Sequence, residues 1–177
     1  RDGHVNLRSP FNLSRNWSWY LNYPDNFNYE LVERNCLGPN HRIAGGLQYS
    51  ILLPDSIGYI YYSSFSSGFS LKNLDEVMTY MKNTRGLIVD VRNNGGGFLS
   101  NAFALGQRLA PTEKQVLITF EKTGPGPDDF GNGLGYVLKP SEGVNYNGEV
   151  AILTNRRCYS ATNFFAGIMR SYENVTQ

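Results

Sequence analysis

With 177 residues, 41% of them apolar and 14% aromatic, the chain has enough material for one globular domain with a sizeable core. Its formal net charge of +1, from 16 basic and 15 acidic residues, gives no electrostatic reason to expect nucleic acid or an anionic membrane as a partner. No apolar run approaches the roughly 18 residues of a membrane span, which excludes an integral membrane segment from the sequence given.

The chain opens at Arg1, without a methionine or a signal peptide, and stops at Gln177 just after a helical pattern, so we expect a piece truncated at both ends. Residues 10–42 are rich in Asn, Pro and aromatics (Trp17, Trp19, Tyr20, Tyr23, Phe27, Tyr29) and hold no sustained period of 2 or 3.6 residues. They read as an aromatic-rich irregular cover, which together with an N-terminal motif strand makes up residues 1–42. The regular domain is expected over 43–177. Strands are predicted over 45–53 and 57–62, with Pro54-Asp55-Ser56 as the turn between them.

Leu71, Leu74, Val77, Met78 and Met81 recur at spacings of three and four, the stripe of an amphipathic helix over 71–83. The apolar run Leu87 to Val91 is a strand that enters Arg92-Asn93-Asn94-Gly95-Gly96-Gly97, and a second helix is predicted from about Leu99 to Ala110, before Pro111. Another strand is expected over 115–120. The Gly-, Pro- and Asp-rich stretch 123–148 is read as a long loop with one short strand near Tyr136 to Leu138. A short strand, Glu149 to Thr154, leads through Asn155-Arg156-Arg157-Cys158-Tyr159 to Ser160, which opens a helix carrying Ala161, Phe164, Phe165, Ile168, Met169 and Tyr172 on one face.

Two strand–loop–helix units in one α/β domain have a geometric consequence. Right-handed crossovers between parallel strands bring every strand-to-helix loop to the same sheet edge, so the glycine turn and Ser160 should face one cleft. Glycines lack Cβ, so the turn can adopt positive φ and present bare amides to negative charge. Alone, that describes a generic anion site, and the Lys and Ser/Thr of a P-loop are missing after Gly97.

Ser160 has two readings. It is a preferred helix N-cap, or it is a nucleophile beside backbone donors, with the amide of Ala161 and one from Gly96 or Gly97 placed where an oxyanion would develop. A base has to come from elsewhere, and the chain offers His4, in Asp2-Gly3-His4-Val5, and His41, in Pro39-Asn40-His41-Arg42. Cys158 is a rival nucleophile that precedes the helix and lacks its first-turn amides. Arg156 and Arg157 are either a solvated basic loop or a clamp for a terminal carboxylate. The aromatic cluster at 17–29 is either packing or a substrate platform. Cys36 and Cys158 permit one disulfide or none, and the histidines have no metal-ligand spacing to them, so neither a structural metal nor a cofactor is expected.

The run Asp90-Val91-Arg92-Asn93-Asn94-Gly95-Gly96-Gly97 resembles the Asp-x-Arg-Asn-Asn-(Pro/Gly)-Gly-Gly signature of the C-terminal processing, or tail-specific, serine peptidases. Ser160-Ala161-Thr162 resembles that family's nucleophile block, and Asp2-Gly3-His4-Val5 is similar to a third motif, in the family's order. The resemblance implies an α/β, ClpP/crotonase-like domain with a mostly parallel central sheet flanked by helices. It implies Ser160 as nucleophile, Ala161 and Gly96 as oxyanion-binding amides, and Gly97 packed beside them.

Asp-Gly-His, a glycine triplet without proline and no recognisable PDZ module between residues 10 and 45 resemble the tricorn-protease-core-like branch, in which His4 would be the base. In the other branch a lysine some two dozen residues beyond the serine takes that part. The implied activity is an acyl-enzyme endopeptidase acting on polypeptides, segments near their C-termini among them, in a bacterial extracytoplasmic setting, periplasmic or surface. The rival expectation is a non-catalytic member of the fold that binds an apolar or saccharide ligand. Asn163 stands where many relatives carry a glutamate, and Arg156 and Arg157 replace small or acidic residues.

Overall fold

A computed structural model describes residues 7–11, 13–14 and 24–177. The strands β1 (Leu7–Arg8) and β2 (Leu13–Ser14) pair antiparallel near the N-terminus. A short helix, α1 (Tyr29–Val32), continues into a π-helical stretch, Glu33–Leu37. This helical piece departs from the irregular cover expected over 10–42. It is too short to display a period, and its start depends on Asn28, whose side chain accepts the Leu31 N–H.

The central sheet contains β3 (Arg42–Ala44), β4 (Leu47–Leu52), β5 (Ile57–Tyr62), β6 (Gly86–Asp90), β9 (Val150–Leu153) and β10 (Val175–Thr176), in the order β10-β9-β6-β5-β4-β3. Its pairings β10–β9, β9–β6 and β6–β5 are parallel, and the β3–β4–β5 meander at the far edge is antiparallel. The strands β7 (Lys114–Thr119) and β8 (Leu134–Leu138) form a separate antiparallel ribbon. The helices are α2 (Leu71–Met81), α3 (Leu99–Leu109) and α4 (Ala161–Met169). The architecture is the mixed α/β fold with a mostly parallel sheet and flanking helices that the resemblance implied.

Alternation along the strands divides the core into two. Ile60 and Tyr62 of β5 join Leu74, Val77, Met78 and Met81 of α2, Leu105 of α3 and Phe165 of α4. Tyr59 and Tyr61 point to the opposite face and bury Val32 and Leu37 of the cover, with Phe27 stacked on Tyr61 at 5.7 Å. Such burial stabilises by about 1.5–3 kcal/mol for each large apolar side chain. Phe27 and Tyr29 thus act as packing residues, while Trp17, Trp19, Tyr20 and Tyr23 lie outside the described residues. Leu71, expected on the α2 stripe, is exposed because the first helical position lies outside the packed face. Among the described residues no helix is long and apolar enough to cross a membrane.

Candidate active site

The parallel strands β5, β6 and β9 all end at one sheet edge, and their following loops meet there. Val91 N–H bonds to Leu153 O at 3.0 Å, Tyr159 N–H to Asn94 O at 3.2 Å, and Phe98 N–H to Phe65 O at 3.2 Å. The glycine turn is therefore held between the loop after β5 and the loop that leads to Ser160. The two sequence blocks that looked related are in contact.

Beneath the turn, Asp90 is buried at the end of β6. It accepts from the Tyr59 hydroxyl at 2.5 Å, from Arg92 Nε at 2.9 Å and Nη2 at 2.5 Å, and from the Arg92 amide at 3.0 Å. Hydrogen bonding to Asp90 holds the Arg92 guanidinium above its ordinary range. Burial, then the bond to Asp90, pushes the Tyr59 phenol far up. The group is a compact, fully bonded base for the turn.

Within the turn the three glycines are not equivalent. A Cβ on Gly95 would meet nothing within 4 Å, whereas Gly96 (φ +96) would bring one to 2.6 Å from Tyr159 O and 2.7 Å from Ser160 Cβ. A Cβ on Gly97 (φ +141) would lie 2.1 Å from Ser66 N. Gly96 is the point where the turn presses against the serine loop, and Gly97 the point where it presses against the loop after β5. The Gly96 N–H, the donor favoured on sequence grounds, is directed to Asn94 Oδ1 at 2.9 Å. The Gly97 N–H has no acceptor among the described residues, and Gly97 is exposed.

Ser160 precedes α4 with φ +54 and ψ −120, a conformation that L residues rarely adopt and that stores on the order of 1–3 kcal/mol. Its side chain makes no cap hydrogen bond, so the N-cap reading does not describe it. The next residue, Ala161, is buried, and its N–H is one of the orphan first-turn donors, without an acceptor among the described residues. The Gly96 Cβ position would be 3.0 Å from that nitrogen, so the turn and the Ala161 amide are immediate neighbours. A strained serine, an orphan helix amide and an exposed glycine amide together suit a nucleophile that generates negative charge on a carbonyl oxygen.

The other candidates are placed differently. Cys158 is buried, donates from Sγ to Val91 O at 3.1 Å and accepts from Asn155 N at 3.3 Å. Burial pushes its thiol up, against thiolate formation. Both cysteines are free. Arg157 pairs with Asp25 at 3.2 Å, which ties the serine loop to the cover, and Asn155 Nδ2 reinforces that tie by donating to Asn26 Oδ1 at 3.1 Å. Arg156 is exposed.

His41 turns Nδ1 toward Gly38 O at 2.8 Å and sits beside edge strand β3, four strand spacings or about 19 Å across the sheet from β9. That separation removes it from Ser160. His4 lies outside the described residues.

Two residues were quoted in the motifs without a role and prove central. Asn94 and Thr162, both fully buried, bond to each other through Thr162 Oγ1 and Asn94 Oδ1 at 2.8 Å. No local signal marks them as a buried pair, since Asn94 stands between Asn93 and Gly95 and Thr162 between Ala161 and Asn163.

The family model described as Peptidase family S41 matches residues 56–177. Among solved structures, a candidate peptidase from Parabacteroides merdae ATCC 43184 is 43% identical with a TM-score of 0.89, covering 99% of this chain and 55% of that one. A candidate S41 protease from Bacteroides fragilis NCTC 9343 is 20% identical with a TM-score of 0.54, covering 73% of this chain and 36% of that one. A photosystem II D1 C-terminal processing protease is 20% identical with a TM-score of 0.51, covering 71% and 31%. The last two share the fold. This chain spans about half the length of the Parabacteroides protein. No curated protein matches it.

Proposed function

The chain belongs to peptidase family S41, a family of serine peptidases, and on that premise we propose that it carries the nucleophile and the oxyanion site of a serine endopeptidase. The observation that carries the reading is Ser160, held at φ +54 without a cap bond, against Gly96 and beside the orphan Ala161 amide. In this mechanism Ser160 Oγ attacks the scissile carbonyl carbon while its proton passes to a general base, for which the motif resemblance nominates His4.

The carbonyl oxygen becomes an oxyanion that accepts from the Ala161 N–H and the glycine turn. Gly97 offers an amide with no acceptor among the described residues, and Gly96 supplies the room for the close approach. The tetrahedral intermediate collapses, the amine leaves with the proton returned by the base, and water hydrolyses the acyl-enzyme by the same steps. We assign the substrate to polypeptides cut near a C-terminus, in a bacterial extracytoplasmic setting. The exposed Phe98 and Leu99 directly after the turn support contact with apolar side chains of such a substrate.

The test is fluorophosphonate labelling of the protein at its full length. Labelling of the wild type on Ser160, absent in Ser160→Ala and retained in Cys158→Ser, is the expected result. An unlabelled wild type, or labelling that persists in Ser160→Ala, overturns the assignment. A pH–rate profile whose basic limb vanishes in His4→Gln checks the base, and peptides with free against amidated C-termini check the end preference.

A further inference from the structure

We propose that Asn94 is a positioning residue for the transition state at Ser160, the side chain that selects which amide of the glycine turn faces the reacting carbonyl; this rests on the reading of Ser160 as nucleophile. Asn94 is fully buried, and its amide is bonded on both sides. Oδ1 accepts from Gly96 N at 2.9 Å and Thr162 Oγ1 at 2.8 Å, with Phe65 N more distant at 3.4 Å, while Nδ2 donates to Tyr62 O at 2.9 Å. A backbone N–H only donates and a backbone carbonyl only accepts, so these partners permit one orientation of the amide. Its backbone carbonyl also accepts from Tyr159 N–H at 3.2 Å.

One residue therefore joins the end of β5, the glycine turn, the residue before Ser160 and the first turn of α4. The two short bonds to Oδ1 lie on the two sides of the oxyanion site, one from the turn and one from the helix that carries the Ala161 amide. Drawing the Gly96 N–H inward leaves the exposed Gly95 and Gly97 N–H groups without an acceptor among the described residues, and Gly97 directly follows the residue that presses against the serine loop. A donor that shifts by about 1 Å from the oxyanion lowers the rate by roughly 10²-fold, so a side chain that never touches substrate still governs the chemical step.

The experiment uses the full-length protein and compares Asn94→Ala, Thr162→Val and Thr162→Ser for kcat, KM, melting temperature and two affinities. One affinity is for a peptide aldehyde, whose carbon takes Ser160 Oγ while the serine proton passes to the base, forming a hemiacetal with its oxygen in the oxyanion site. The other is for the product peptide, which places no tetrahedral oxygen there. Asn94→Ala is expected to lower kcat and aldehyde affinity by about 10²-fold, and Thr162→Val by about tenfold, with KM and product affinity within about twofold of wild type.

Thr162→Ser, which keeps the hydroxyl, is expected to restore the Thr162→Val loss. If Asn94→Ala does not fold, the Thr162 pair decides alone. Variants that melt lower but keep wild-type kcat and aldehyde affinity overturn the positioning role and leave the nucleophile reading intact. A wild type that fluorophosphonate does not label at Ser160 overturns both.

Discussion

Ser70 and Ser160 are the same residue at the same place, the position before a helix, and they do opposite things. Ser70 has φ −89 and ψ 163, accepts the Asn73 N–H on its side chain, and donates its own N–H to Asn73 Oδ1 in a reciprocal capping box. Ser160 has φ +54 and ψ −120 and caps nothing. The first serine lowers the free energy of its helix. The second is held in a costly conformation between Gly96, which presses on it, and the buried Ala161 that begins α4. Strain that the surroundings maintain, at a residue beside the Ala161 amide that has no acceptor among the described residues, is the contrast on which the proposed nucleophile rests.

The sharpest way to break that contrast is to replace the two serines in the full-length protein. Ser160→Gly removes the hydroxyl and relieves the positive φ, so peptidase activity should fall on the order of 10⁴-fold or more while stability rises by about 1 kcal/mol, read from denaturant midpoints. Loss of both activity and stability would mean that the backbone there is unstrained. Next in size, Gly96→Ala drives a Cβ to 2.6 Å from Tyr159 O and displaces the serine loop. Labelling of Ser160 should slow roughly 10²-fold, whereas Gly95→Ala, which meets nothing within 4 Å, should stay within about 0.5 kcal/mol of wild-type stability.

Ser70→Ala should lower stability by about 1 kcal/mol through loss of its cap, with peptidase activity unchanged. An activity loss there would dissolve the distinction between the two serines.

The smallest effect separates core from site by pH. Burial, then the hydrogen bond to Glu76, pushes the Tyr49 phenol from 10.0 up to about 12. A raised folded-state value means that the native state holds the proton more tightly. Its stabilising contribution is full below pH 10 and is lost as pH rises through about 12, so melting temperature should decline across that window and Tyr49→Phe should flatten the decline. Cys158 supplies the same test at the site: its raised thiol should leave it unreacted with iodoacetamide near neutral pH while partly exposed Cys36 reacts. Fast alkylation of Cys158 in the native protein would restore it as a competing nucleophile.

The parts of the fold legible in the sequence were those with a strong period. The stripe of α2 was readable because one face of the helix is buried, and the apolar runs of β5, β6 and β9 because those strands lie inside the sheet. The π-helical piece after α1 and the three-residue β3 were not, since elements of that length carry too few residues to show a period. At the site, Ser160 and the glycine turn were legible from the strand–loop–helix grammar and from motif resemblance. Asn94 was not, because an asparagine in an Asn-Asn-Gly run reads as turn chemistry until its partners are known. Four of those partners, Tyr62, Phe65, Tyr159 and Thr162, lie between 29 and 68 residues away along the chain.

By itself, then, the sequence determined the longer strands and helices, that the strand-to-helix loops share one sheet edge, and that a serine and a glycine turn stand on it. Those follow from periodicity and from the handedness of crossovers, which are local or topological properties of the chain. Only the tertiary structure decided that Ser160 forgoes its cap, that Gly96 gives space while its amide is taken inward, and that His41 lies far from the site. Those outcomes depend on distances of a few ångströms between segments remote in the chain, which no local pattern encodes.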